Sequence, residues 1–363
     1  MTVPIIVWMI LVFCMGASVG SFMNVCIYRL PLEKSVFWPG SHCGSCIQPI
    51  HWKDNIPILG YLILGGKCRK CNSSYSIRYM LVELAMGLIF SGVFYLNTLG
   101  NLLDFDFVQN QKWQISHGVI PWQIWVMFIS QSVVISLLIT ASLTDIDCME
   151  IPLGITITGT IWGLVFSTLQ PWPFPENISN FLDDFSRTKD WPLNPLLPRG
   201  ATPWPPWFPM DNFPDQPWLK GLLQGIIGAL AGTFLVRIVR FTFGLGRGME
   251  GMGLGDADLM MMVGAFWGWQ LVVVAFFLSV LPAFFFGLLQ LFFKGEQAFP
   301  FGPSLAISSI VCFYAWPYLT KLTQIYFFEP LILFFLSTFG VISLFLISLI
   351  LRFLRPIDKS NIS

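Results

Sequence analysis

Residues 257–293 read ADLMMMVGAFWGWQLVVVAFFLSVLPAFFFGLLQLFF, and among these 37 residues only Asp258 carries a charge. An α-helix needs about 20 apolar residues to cross the hydrocarbon core of a bilayer. Backbone donors and acceptors in lipid must also be satisfied within the protein, which favours helices over open strands. This stretch is long enough for a short helix and a full one, over 257–269 and 270–293, turning near Gly268–Gln270. It decides the class of the fold: a chain that buries so much uncharged length is built for a membrane.

Composition agrees. The 363 residues are 55% hydrophobic and 11% charged, with mean hydropathy +0.69. A soluble domain carries about 25% charged residues, so there is too little charge here to coat a water-facing surface. Further apolar stretches fall at 3–27, 79–99, 119–144, 152–170, 219–243, 299–320 and 330–351. With the two above, the expectation is an all-α polytopic protein of eight to nine transmembrane helices. The first run has no basic residue before it and exceeds a signal-peptide core, so it reads as a retained helix. A formal net charge of zero gives no case for a nucleic-acid partner.

Loops rich in Lys and Arg stay on the cytoplasmic side. When loops are alternated from an outside N-terminus, one face receives only Lys112, Arg187, Lys189, Arg199, Lys220 and Lys321. The opposite face receives the other 14 of the 20 basic residues. The predicted orientation is N-out and C-in. It divides the chain into a first helix (1–27), a cytoplasmic insert (28–78), a membrane core (79–320) and a last helix with a basic tail (321–363). Within the core, 171–217 forms an extracytoplasmic loop with twelve prolines and several tryptophans. Proline removes backbone donors and stops helices, so this loop is expected to be irregular and variable.

The insert holds CGSC (Cys43, Cys46) and, after twenty-one residues, CRKC (Cys68, Cys71). Two such knuckles offer four thiolates to one tetrahedral ion, the pattern of a structural zinc site. Two disulfides or spare thiols are the alternative, disfavoured in a reducing compartment. A metal there would fold an insert that has no core of its own. His42 and His51 are surplus to a four-thiolate site. Cys14, Cys26, Cys148 and Cys312 lie in or beside the spans and read as packing residues.

Acids at membrane depth are costly and point to function. One cluster, TDIDCMEIP, places Asp145, Asp147 and Glu150 just after the third span. The other, GMGLGDADLM (251–260), places Asp256 and Asp258 at the opening of the sixth. On the alternating topology both lie at cytoplasmic helix ends, where they can meet. Two aspartates in a low-dielectric site share one proton: one activates a water and the other protonates the scissile carbonyl. Gly253 and Gly255 would leave the backbone bare for an extended substrate. Acids at helix ends also serve ion pathways, so a proton- or cation-coupled transporter is the competing class. A catalytically idle assembly protein is the third.

GMGLGDADLM resembles the GxGD motif of the prepilin peptidases (type IV leader peptidases), which are intramembrane aspartic proteases. GASVGSFMNVCIYRLP (16–31) is similar to that family's N-terminal signature, and DNIPILGYLILGGKCRKC (54–71) to its cysteine domain. IRYMLVELAMG (77–87) and FPFGPSLAIS (299–308) follow in the expected order. The resemblance implies that Asp145, seven residues before Pro152, and Asp256 are the catalytic pair, with Asp147 and Asp258 as neighbours. It implies type IV prepilins or pseudopilins as substrates, cut after a glycine, and a multi-pass location in a bacterial inner membrane. The cysteine insert goes with members that also methylate the new N-terminus with S-adenosylmethionine. No cofactor pocket is assigned; Asn24, Asp54 and Glu83 stand out only as polar residues. The chain departs from the family pattern at Asp258, where a basic residue is usual, in the length of its 171–217 loop, and in its ninth span.

Overall fold

The computed structural model describes residues 3–103, 106–169, 217–248, 251–293, 300–316, 318–319, 322–323 and 330–354. All regular elements among them are helical; the only extended pairings are two isolated bridges, His42 with Pro49 and Lys67 with Ser74. In chain order the helices are α1 (Val3–Arg29), α2 (Leu59–Leu64), α3 (Arg78–Asn97), α4 (Asp106–Asn110), α5 (Lys112–Ser116), α6 (Trp122–Cys148) and α7 (Leu153–Leu169). They continue with α8 (Pro217–Arg247), α9 (Leu254–Trp267), α10 (Trp269–Leu278), α11 (Val280–Phe293), α12 (Gly302–Tyr314) and α13 (Pro330–Leu354). The chain is a polytopic helical membrane protein.

Six helical segments are long and apolar enough to cross a bilayer: Val3–Leu32, Arg78–Asn97, Trp122–Cys148, Gly221–Arg247, Trp269–Gln290 and Leu331–Phe353. The other three expected spans are shorter. The helices at 152–170, 257–269 and 299–320 have 17, 14 and 13 residues, and at 1.5 Å per residue each falls short of a core about 30 Å thick. The 171–217 loop, except for Pro217, and the tail beyond Leu354 lie outside the described residues. The break expected near Gly268–Gln270 is present. Gly268 adopts φ 81° between α9 and α10, a conformation that glycine takes without steric cost.

The chain forms two compact units, Met1–Ile155 and Thr156–Ser363. In the first, α1 lies along α3, and α6 packs on both. Gly16 and Gly20, one turn apart on α1, make the close approach possible. A Cβ on Gly16 would come 2.7 Å from Cβ of Phe90, and one on Gly20 would come 2.8 Å from Cα of Glu83. Lipid supplies no hydrophobic drive between helices, so van der Waals packing at such small residues holds them. Phe90, Phe94 and Trp125 stand edge-on around Phe128, with centroids 5.6–6.0 Å from its ring.

Helix α6 also carries a buried polar row. The hydroxyls of Ser136, Thr140 and Thr144 donate to the carbonyls of Ser132, Ser136 and Thr140, at 2.6, 2.7 and 2.9 Å. These three hydroxyls are satisfied by the preceding turn, which lets them be buried at little cost. Above it, Asn97 donates to Gln131 at 2.9 Å. The row ends at Asp145.

In the second unit, α8 packs against α9, α10 and α13. Gly228 and Gly264 face one another so closely that a Cβ on either would overlap the carbonyl of the other, and Gly232 meets the Met260 carbonyl in the same way. Across this seam the Gln224 amide donates to Gln270 at 3.0 Å, with both residues buried.

Candidate metal centre and candidate aspartate site

The two cysteine knuckles are the same structure twice, offset by 25 residues. In the first, Cys43 N–H donates to Gln48 O and Ile47 N–H donates to Cys43 O, at 3.0 and 2.9 Å. In the second, Cys68 N–H donates to Ser73 O and Asn72 N–H to Cys68 O, both at 2.9 Å. Ile47 and Asn72 occupy the same left-handed position, φ 59° and 57°. Asparagine tolerates it, whereas a β-branched residue there is a real outlier. The bridges His42–Pro49 and Lys67–Ser74 close the two turns at equivalent places.

This repetition aims four sulfurs at one point. The Sγ atoms of Cys43, Cys46, Cys68 and Cys71 all lie within 4.8 Å of one another, and Cys43 and Cys71 are 3.7 Å apart. Four thiolates about 2.3 Å from a tetrahedral zinc would be separated by about 3.8 Å. The donor set therefore fits a four-thiolate soft ion. All four cysteines are free thiols, not disulfides.

Electrostatics point the same way. The N–H of Cys46, then the Ser73 hydroxyl and the N–H of Ser45, lower the Cys43 thiol to about 5. The Ser73 hydroxyl and N–H also lower Cys71. At Cys46 the Gln48 N–H pulls down, but desolvation and the sulfurs of Cys71, Cys43 and Cys68 outweigh it and hold the thiol at about 11. The nest readily forms the first thiolates and resists the last, a balance that a bound cation completes. Ser73, whose hydroxyl lies 3.1 Å from Cys71 Sγ and 3.6 Å from Cys43 Sγ, was not legible as part of this site.

The polar residues noted at the insert's edge have structural partners. Asn24 donates to the Tyr79 carbonyl at 3.0 Å. The Glu83 carboxylate accepts the N–H of Ile58 at 2.7 Å, where Ile58 has φ 65°. Asp54 takes both arms of the Arg69 guanidinium, at 2.9 and 2.6 Å, which draws its carboxyl below the usual range. These contacts dock the insert on α3 and pin the second knuckle to the turn Trp52–Asn55. No residue set for S-adenosylmethionine is identified among the described residues.

Asp145 sits in the last turn of α6, 6% exposed. Its carbonyl accepts the N–H of Met149, which ends the helix in a left-handed conformation at φ 55°. Asp147 points elsewhere and pairs with Arg78. Glu150 is exposed.

Asp256 is the third residue of α9 and is 7% exposed. Its Oδ2 accepts the N–H of Gly253 at 3.2 Å, which ties up a free donor at the helix start. Gly253 has φ −72° and ψ 155° and is exposed. A Cβ there would lie 3.6 Å from Asp256 Oδ2, so backbone conformation alone does not demand glycine. Asp258 meets Arg237 of α8 at 3.8 Å, a partner that no motif announced. Asp145 and Asp256 belong to different units, each buried at a helix end within its own.

Comparison with known proteins follows this division. A family model described as the bacterial Peptidase A24 N-terminal domain matches residues 14–97, and that of the type IV leader peptidase family matches 213–288. The Klebsiella pneumoniae prepilin leader peptidase/N-methyltransferase is 29% identical over 269 residues, 72% of this chain and 86% of the relative. The protein of that description from Neisseria gonorrhoeae is 26% identical over 83% of this chain and 88% of its own. That from Myxococcus xanthus is 27% identical over 72% of this chain, which spans 56% of the relative's length. No solved structure matches. Two domain models in one order, with relatives of one description, make the chain similar to the prepilin leader peptidases of the type IV leader peptidase family.

Proposed function

We propose that this protein is a membrane-embedded aspartic endopeptidase that removes the leader of type IV prepilins or pseudopilins at the cytoplasmic face of a bacterial inner membrane. The observation that carries the reading is the pair Asp145 and Asp256. Both are more than nine-tenths buried at helix ends, in a chain with few acids to spare. Brought together, two such carboxylates hold one proton between them. The ionised one takes a proton from a water as that water attacks the scissile carbonyl, and the protonated one donates to the carbonyl oxygen. Collapse of the tetrahedral species expels the amine, which receives the remaining proton. Gly253, exposed beside Asp256, offers backbone to an unwound substrate segment.

In this reading the N-terminus lies outside, nine helical segments enter the membrane, and the insert faces the cytoplasm. The four cysteines hold a structural zinc ion that fixes the insert. Prepilin processing and N-methylation are named together in the relatives, and methyl transfer from S-adenosylmethionine to the new N-terminus is assigned here on that footing. When bound, that cofactor would supply the electrophilic methyl group.

The test is conversion of a purified prepilin to its mature form by the purified protein in detergent or vesicles. Asp145→Asn and Asp256→Asn should each abolish conversion while accumulating normally. Cleavage by the Asp256→Asn protein would overturn the mechanism. Isotope transfer from labelled S-adenosylmethionine to the mature product tests the second activity.

A further inference from the structure

Arg29, the last residue of α1, is buried, and its guanidinium holds the loop that follows. It donates to the carbonyls of Ser35, Pro39 and Gly40, at 3.1, 2.7 and 3.4 Å. The Ser35 hydroxyl oxygen accepts the N–H groups of Phe37 and Trp38 at 3.3 and 3.2 Å. Pro39 has no N–H to satisfy. Residues 35–40 are therefore closed from within, three of their carbonyls by a charged donor, which makes the stronger kind of hydrogen bond.

What this clasp displays is apolar. Phe37 is 83% exposed and Trp38 80%, and no other large hydrophobic side chain among the described residues is exposed as far as either. The Phe37 ring lies 6.4 Å from that of Phe22 on α1. Phe22 belongs to an exposed face of that helix, which runs through Val7, Leu11, Met15, Ser18 and Phe22 in helical steps. In a helix long and apolar enough to cross a bilayer, such a face meets lipid.

The depth follows from helix length. The 27 residues of α1 make a rod of about 40 Å, matching a bilayer of about 40–45 Å with its headgroups. Phe22 stands about 10 Å short of the Arg29 end, near the boundary between headgroups and acyl chains. Tryptophan is enriched at that level, and the exposed Lys34 has a stem that reaches headgroup phosphates. Bare irregular backbone is costly there, because its polar groups lose water. A loop already bonded by Arg29 and Ser35 carries its rings to the boundary at reduced cost.

We propose that residues 35–40 form an interfacial membrane anchor, clasped by Arg29, whose Phe37 and Trp38 side chains enter the lipid beside α1. The occupant is the bilayer, because Phe37 continues the lipid-facing stripe that ends at Phe22. Cys43 follows Gly40 by at most about 11 Å of chain, so the anchor holds the first knuckle, and the metal centre with it, at the membrane surface. The assignment needs only that α1 crosses the bilayer, and stands apart from the peptidase reading.

The experiment reconstitutes the full-length protein in phosphatidylethanolamine–phosphatidylglycerol vesicles. The photoreactive residue p-benzoylphenylalanine replaces Phe37 or Trp38, or Leu11 as the lipid-facing reference. Irradiation should graft phospholipid onto positions 37 and 38 as at 11, with the adduct identified by mass spectrometry. Grafting instead to a second copy of the chain or to co-reconstituted prepilin, or no adduct where position 11 gives one, overturns the anchor. Arg29→Gln tests the clasp. Losing one hydrogen bond to a charged donor shifts the loop from held toward released by about tenfold or more, so lipid yields at 37 and 38 should fall while that at 11 stays. Should Arg29→Gln fail to accumulate, Ser35→Ala removes the acceptor of both N–H groups and should lower the same yields. Yields at 37 and 38 that stay unchanged in Arg29→Gln, or in Ser35→Ala where it stands in, overturn the clasp.

Discussion

Arg78, the first residue of α3, places Nη1 2.9 Å from one oxygen of Asp147 and 2.8 Å from the other, at the end of α6. The acid cluster TDIDCMEIP thereby separates into unlike members. Asp147 is partly exposed and engaged by a cation, while Asp145, two residues earlier, is buried at the foot of the hydroxyl row. The expected outcome is a split. Asp145→Asn abolishes prepilin cleavage, whereas Asp147→Asn or Arg78→Gln, which breaks an exposed pair worth up to about 1 kcal/mol, keeps cleavage within about fivefold. Activity of the three purified variants measures it, and an inactive, well-folded Asp147→Asn protein would move the catalytic assignment.

The metal centre predicts stoichiometry and a pH sign. Purified protein should carry one zinc per chain, and Cys43→Ser or Cys71→Ser should lose it. Metal binding needs thiolates, so protons compete with the ion. The Cys43 thiol titrates at about 5, while Cys46, held at about 11, gives up its proton only as metal enters. Zinc affinity should therefore fall steeply from neutral pH toward 5, with protons released on binding near pH 7. Competition with a chromophoric chelator across that range reads both, and a pH-independent affinity would contradict a thiolate nest.

The α8–α9 seam makes a stability prediction. Gly228 and Gly264 leave no room for a Cβ, so Gly264→Val must push two helices apart. Overpacking of this kind costs about 1–3 kcal/mol, and here backbone, not a flexible side chain, is in the way. Thermal unfolding in detergent should drop clearly for Gly264→Val. Gly287→Ala, where a Cβ meets nothing within 4 Å, should leave it unchanged.

The sequence made some of this legible because the relevant forces are local. Cysteine spacing predicts the four-sulfur nest, since each knuckle closes within six residues. Gly268 announces its turn because few other residues accept its backbone angles. Other features depend on the fold. Arg78 and Asp147 are 69 residues apart and Arg237 and Asp258 are 21 apart, so no short pattern records either pair. Helix breaks were not legible where apolar residues run on without interruption. The segment 299–320 is oily throughout, yet α12 ends at Tyr314, and the described residues Trp316, Tyr318 and Leu319 beyond it are again helical. Hydropathy reports what a residue tolerates, not where a helix stops.

The Arg69–Asp54 pair gives a last test, of how the insert is held to its turn. Asp54 is the enclosed member, 9% exposed against 62% for Arg69, and Arg69 lowers its carboxyl below the ordinary value. A group whose folded pKa is depressed stabilises the fold above its unfolded pKa, near 4, and that contribution disappears as pH falls through the folded value. Gly60 packs against the Asp54 carbonyl, too close for a Cβ, so loosening Asp54 should reach the start of α2. Arg69→Gln is therefore expected to speed hydrogen exchange at the amides of 54–60 at pH 7. The effect should shrink progressively in acid below about pH 4. In an Asp54→Asn background, Arg69→Gln should add nothing. Full additivity of the two substitutions would show that Arg69 steadies the second knuckle by another route, and that the bidentate contact is incidental to it.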